Sequence, residues 1–395
     1  MYTNEIKKIS SVIIDEIILI RREIHKFPEL GFREYKTASI ISDYLEGLGL
    51  KVYKNIGKTG VVGLIEGSKP GKTIAVRADM DALPITEENS FEYASQYKGV
   101  MHACGHDAHV AIALGAAKIL GSFKDSLPGN IKFIFQPAEE GLGGARFMID
   151  EGVLENPKVD TIIALHVSPG LKTGQISVGT GPVMASPSEF EIVIKGKGGH
   201  AAEPHKIIDP IVTGVNIINL FQTIIPKKLS PFKNAVLSVT CFNAGNTFNV
   251  IPSEAVIKGT VRTFDSEVDS QISESMKSIT AKVSSSMGAD YTFDYKLGYP
   301  PVVNNHQIVD LIIKSSSEVI AKENILTNPD PVMLAEDFSY YAQRVPGALF
   351  NLGCTNPKDD DYHNLHSSRF SIDETCIAKG MEIVSQCVIN YLKEI

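Results

Sequence analysis

The chain has 395 residues, more than one ordinary core accommodates, so two domains are expected. Its 43% hydrophobic and 21% charged content is that of a globular protein. A net charge of −8 argues against nucleic acid as a partner, because phosphate binding needs a basic face, while small anionic substrates need only one local cation.

In chain order, the N-terminal 27 residues predict an amphipathic helix. Asp15 and Glu16 cut the apolar run and no small-residue cleavage site follows, so neither a signal peptide nor a membrane span is expected. The five cysteines are scattered and odd in number, which predicts no disulfide framework and a reduced, cytoplasmic setting. "GVVGLIEG" and "TIAVRAD" predict strands, "AHVAIALGAAKILGSF" a helix, "GNIKFIFQP" a strand, "GARFMIDEGVL" a helix and "VDTIIALHV" a strand. Near-continuous apolar strands alternating with helices predict an α/β layered domain whose sheet is mixed but largely parallel, flanked by helices. From about Ser186 the pattern becomes strand, helix, two strands, helix, strand, the order of a ferredoxin-like α+β unit. The expected organisation is a discontinuous catalytic domain, 1–185 and 298–395, with an inserted unit over 186–297.

The chemistry gathers in "GVMHACGHDAHV", where His102, Cys104, His106 and His109 fall within eight residues. Cys104 and His106 flank Gly105, which suits a tight turn offering a thiolate and an imidazole to one centre. Any one of these residues alone reads as a core or cap residue; the cluster does not. In "FQPAEEG", Pro137 stops a strand and the adjacent Glu139 and Glu140 point in different directions, so one can bind metal and the other serve as general base. His166 ends "TIIAL", and His366 lies in "NLHSSRF". Asp79, Asp81, Glu139, Glu140 and His166 follow or end predicted strands, and open α/β sheets bind ligands outside the carboxyl ends of their strands. Cys104, His106, Glu140, His166 and His366 suit Zn, Mn, Co or Ni. Five protein ligands exceed a single catalytic zinc site, which points to two ions per subunit. Asp79 in "VRADMDALP" is expected to accept an imidazole N–H and fix a ligand tautomer, with Asp81 the less favoured candidate.

At this point a resemblance becomes specific. "RADMDALP", "MHACGHDAH", "FQPAEEG", "GGHAAEPH", "NVIP" and "LHSSRF", in this order and across nearly the whole chain, resemble the metal-dependent amidohydrolases: aminoacylases, hippurate hydrolases, auxin-conjugate hydrolases and N-acetyldiaminopimelate deacetylases. The resemblance implies Cys104, His106, Glu140, His166 and His366 as metal ligands, Glu139 as general base and Asp79 as its catalytic companion. It implies that the inserted unit is a lid and dimerisation domain, that His200 stabilises the oxyanion, in the neighbouring subunit's site, and that the enzyme is a homodimer or a higher oligomer. Asn249 and Arg262 are lid candidates for substrate contact, the arginine fork matching an α-carboxylate. Glu336 in "LAEDFSYY" receives no role. The related carboxypeptidase branch carries His-x-Asp where this chain has Arg77-Ala78-Asp79, and Cys104 and His106 are expected to replace its bridging aspartate. The function implied is release of an amino acid from a small N-acyl-amino acid, N-acetyl, benzoyl or similar. The alternatives are a dipeptidase or carboxypeptidase of the same mechanism, a hydrolase using Cys104 as nucleophile, and a non-enzymatic metal-binding protein, against which the presence of Glu139 speaks.

Overall fold

The computed structural model describes residues 2–358 and 362–393. The chain divides into two compact units. One comprises Met1–Gly181, Val303–Asp330 and Asp337–Ile395, the other Pro182–Val302 and Pro331–Glu336.

The first unit is built on an eight-stranded mixed sheet. Its strand order is Lys51–Ile56, Gly60–Glu66, Pro128–Gln136, Lys69–Asp79, Thr161–Lys172, Gly347–Thr355, Ile176–Val178 and Ile325–Thr327. The four central strands, from Pro128–Gln136 to Gly347–Thr355, run parallel to one another. They are the apolar runs of the sequence, and Thr73–Asp79 is buried at every position, as a strand covered on both faces must be. The edge strand Lys51–Ile56 is largely exposed and has no apolar run, which is why the sequence reading has no strand there.

The helix His106–Gly121 is buried on nearly all sides and packs against the helices Tyr2–Lys26 and Thr375–Lys393. A Cβ at Gly115 would stand 1.9 Å from Met381 Sδ, so this crossing depends on glycine. Among the described residues no helix is long and apolar enough to cross a membrane.

Two elements differ from expectation. The helix after Gly143 stops at Asp150. The strand holding His166 does not end there but runs on to Lys172, because Gly353–Thr355 continues alongside Ser168–Lys172. His166 therefore lies within a strand.

The second unit has the predicted order of elements. Its antiparallel sheet is ordered Ala235–Ala244, Glu254–Thr263, Ser186–Lys195, Asp290–Lys296, the ferredoxin-like arrangement. Phe190, Ile192 and Ile194 alternate onto one face and pack with Ile217 and Phe221 of the helix Pro210–Phe221 and with Ile272 and Met276 of the helix Ser266–Met287. Residues 331–336, assigned from sequence to the other domain, join this unit because Ala185 N donates to the carbonyls of Val332 and Leu334.

Candidate metal centre

The turns that carry the expected ligands are set by close backbone packing. Gly105 has φ 85°, and a Cβ there would lie 2.4 Å from Val167 Cγ2, so glycine is required twice over. This turn starts the helix at His106 and leaves Cys104 just before the helix N-terminus. After the strand Pro128–Gln136 the chain turns through Ala138 at φ 54°, and His366 is held at φ 65° with its N–H donated to Ala103 O. Left-handed backbone at non-glycine residues is strained and gathers at functional sites.

The structure brings all five expected ligands together in overlapping groups. Cys104, His106 and His166 form one, Cys104, Glu140 and His366 a second, and His106, Glu139 and Glu140 a third, the donor atoms of each lying within 4.8 Å of one another. Cys104 Sγ is common to the first two, the place a bridging ligand would occupy. Hydrogen bonds orient the imidazoles. His106 Nδ1 donates to Asp81 O at 2.9 Å, which leaves its buried Nε2, 3.8 Å from Asp79 Oδ2 and with no hydrogen-bond partner in reach among the described residues, to take either a proton or a cation. His166 Nδ1 donates to Val167 O at 2.7 Å and turns Nε2 to within 3.5 Å of Cys104 Sγ. An orphaned ring nitrogen among thiol, imidazole and carboxylate donors fits a divalent cation.

The electrostatics agree with an anionic centre. Burial alone would lower the His106 pKa, but the charges of Asp79 and Cys104 raise it well above the usual imidazole range. Contact with Cys104 and with Glu140, whose Oε1 lies 3.2 Å from Nε2, pushes His366 up to about 10. Burial and the neighbouring His109 push His166 down to about 3, so its imidazole is neutral. Burial also pushes the Cys104 thiol up.

Asp79 and Asp81, unresolved from sequence, divide the work. Asp79 Oδ1 accepts from His109 Nδ1 at 2.5 Å, and the His109 Nε2 accepts Val167 N–H at 2.9 Å, so the imidazole that Asp79 fixes is not that of an expected ligand. Asp81 is the residue that orients His106, an expected ligand. Arg77, in place of the related branch's histidine, is buried and joins Asp79 Oδ2 (2.7 Å) to Asp337 Oδ1 (3.0 Å). Asp337, to which the sequence assigns no role, also holds Gln136 and Ala145 N, and its own N–H faces Glu139 Oε1 at 3.4 Å. The signal available was the charged Arg77 inside an apolar strand, since a buried guanidinium demands partners. Glu336 is buried, in the second unit.

In the second unit, His200 is exposed in a two-residue strand paired with Val250–Ile251, and Asn249 is its neighbour there. Arg262 is not. It pairs with Pro187, eight residues along the strand from the Glu254–Lys195 end that leads to His200, roughly 27 Å at the usual rise.

Residues 75–390 match the model of the peptidase family M20/M25/M40. The chain is 41% identical over 381 residues to thermostable carboxypeptidase 1 of Saccharolobus solfataricus, covering 95% of this chain and 94% of that one. It is 40% identical over 370 residues to N-acetyl-L-cysteine deacetylase of Bacillus subtilis, covering 94% and 86%. The crystal structure of the Bacillus subtilis YXEP protein, described as a dinuclear metal binding peptidase, superposes with a TM-score of 0.84 at 34% identity, covering 98% of this chain and all of that one. With the family's model spanning most of the chain and relatives of this identity along nearly its whole length, the protein is a hydrolase belonging to the peptidase family M20/M25/M40.

Proposed function

We propose that the protein is a divalent-metal-dependent amidohydrolase that releases an amino acid from an N-acyl-amino acid. The observation that carries this reading is the convergence of Cys104, His106, Glu140, His166 and His366 into two donor groups sharing one thiol, with His106 and His166 oriented by their Nδ1 hydrogen bonds. Two ions per subunit suit five donors with a shared sulfur, and Mn, Zn, Co and Ni all match the donor set. When bound, such ions supply Lewis acidity to the amide carbonyl and lower the pKa of water.

The remaining roles belong to side chains. Glu139, buried beside the ligand Glu140, takes a proton from water as the water oxygen adds to the amide carbon. It returns that proton to nitrogen as the C–N bond breaks, so that a carboxylic acid and an amine leave, the acid's remaining proton passing to the amine or to solvent. Asp79, held by Arg77 and His109, is its companion. His200 donates to the oxyanion from the lid of a partner subunit. Asn249 contacts substrate beside it, and Arg262 is the candidate fork for a substrate carboxylate. Exposed Val212, Val215 and Leu220 on the lid helix and Val236 on the sheet's edge strand support pairing of lids in a homodimer. Five free cysteines accord with a reduced, cytoplasmic setting.

A carboxypeptidase or dipeptidase reading is favoured by the relative described as a thermostable carboxypeptidase. The same centre would serve it, and a panel of acetyl-, benzoyl- and indoleacetyl-amino acids, N-acetyldiaminopimelate and small peptides separates the two. A Cys104 nucleophile is disfavoured, since burial raises the thiol pKa where a nucleophile needs it lowered.

Glu139→Gln should keep its metal and lose about 10²–10⁴ in kcat, the usual worth of a general base, whereas Glu140→Gln should lose metal. Metal analysis beside steady-state kinetics checks both. The opposite pattern reverses the two glutamates, and wild-type activity indifferent to chelators overturns the metal reading.

A further inference from the structure

The turn that carries Glu139 and Glu140 is gripped through its backbone. Three successive amides point at two buried carboxylates: Ala138 N donates to Glu34 Oε1 at 2.9 Å, Glu139 N to Asp81 Oδ1 at 3.1 Å and Glu140 N to Asp81 Oδ2 at 3.0 Å. With Ala138 in the left-handed region, consecutive N–H groups of this kind form a concave anion nest. Here the protein fills the nest itself, with Asp81. The same residue reaches the second ligand-bearing segment, because its backbone carbonyl accepts the His106 Nδ1 proton and its Oδ1 lies 3.3 Å from that nitrogen. At 1% exposure Asp81 has no bulk water to satisfy it in place of these partners.

We propose that Asp81 is a positioning residue that clamps the Glu139–Glu140 turn to His106, fixing the base and two ligands in one frame before any ion arrives. The inference rests on the reading of Glu139 as base and of Glu140 and His106 as ligands. It separates Asp81 from Asp79, which lies two residues earlier and grips Arg77 and His109 instead. It also separates Asp81 from a carboxylate that merely ties two strands. Asp160 is such a group: its Oδ2 accepts Thr73 N at 2.7 Å, near the other end of the strand that leads to Asp79.

Asp81→Asn keeps the size of the side chain but puts an NH2 group against one of the two amides, so one half of the clamp is lost. In the cobalt- or zinc-loaded protein, kcat should fall about 10–10²-fold with KM within about threefold of wild type. Ion affinity, read by competition with a chromophoric chelator, should weaken about 10–100-fold. Asp160→Asn should lower the melting temperature without moving kcat or affinity. A folded, cooperatively melting Asp81→Asn protein with kcat and affinity within about twofold of wild type overturns the proposal.

Hydrogen exchange on the wild type keeps the test open if that variant does not fold. The amides of Glu139 and Glu140 should be as protected without ions as with them, and unprotected exchange in the ion-free protein overturns the proposal equally. Should the wild type hydrolyse no amide, the functional reading fails, while the affinity and exchange measurements still report on Asp81.

Discussion

His106 and Asp107 are neighbours at the start of one helix, yet they face two clusters of opposite design. Around Asp107 the protein balances its own charges. Asp107 Oδ2 meets Arg21 Nε at 2.6 Å and His25 Nδ1 at 2.8 Å, His25 Nε2 meets Glu87 at 3.2 Å, and Glu374 takes Arg21 and Arg22. Burial and Arg21 lower the His25 pKa, but Asp107 and Glu87 outweigh them and raise it, so two arginines and a histidine face three carboxylates. Around His106 the compensation is different. Asp79 has Arg77, while Asp81 is answered by amides and an imidazole, and Glu140 and Cys104 lean on His366. The protein meets one cluster largely with arginines and the other largely with backbone amides and imidazoles. Burying acids therefore does not define a site; the way their charge is met does.

Breaking the balanced cluster should have the largest effect. Asp107→Ala leaves Arg21, 1% exposed, without its closest carboxylate, and should cost about 3–5 kcal/mol of stability in urea titration, with or without metal. The pKa of Asp107 is held well below the carboxylate range because Arg21 and His25 outweigh its burial. Its ion pairs thus contribute fully above the unfolded pKa and are lost only as pH falls through the lower folded value.

Glu34 sharpens the contrast with a smaller effect. It is equally buried, but a Thr59 hydroxyl and the Ala138 amide answer it, and burial pushes its pKa from 4.5 up to about 7. Between those values the folded state binds more protons than the unfolded state, so this group makes stability fall as pH rises, by at most about 1.4 kcal/mol per pH unit. Glu34→Gln should flatten that part of the pH profile. An unchanged slope between pH 4.5 and 7 would show that Glu34 is not its source.

Residue type made legible in the sequence a set of donors that the fold brings close together. Cys104 and His106 fell at a helix start and Glu140 just after an apolar strand, and the α/β order with its ferredoxin-like insert followed from the pattern of apolar residues. What could not be read depended on close approach in space. The division between Asp79 and Asp81 turns on which imidazole of the helix starting at His106 each one meets in space. Asp337 matters because it meets Arg77 from 260 residues away. His166 looked terminal because the partner that extends its strand lies near residue 353. The distance between Arg262 and His200 is a matter of register along a strand whose alternation says nothing about its ends.

The central claim, that the unbalanced cluster is the metal centre and Cys104 a shared ligand, is tested most directly by the electronic spectrum of the cobalt-substituted protein. A thiolate-to-cobalt charge-transfer band should appear on titration with Co(II), persist in Glu139→Gln and vanish in Cys104→Ser. A wild-type protein that binds cobalt without that band, or a Cys104→Ser protein that retains it, would contradict the account.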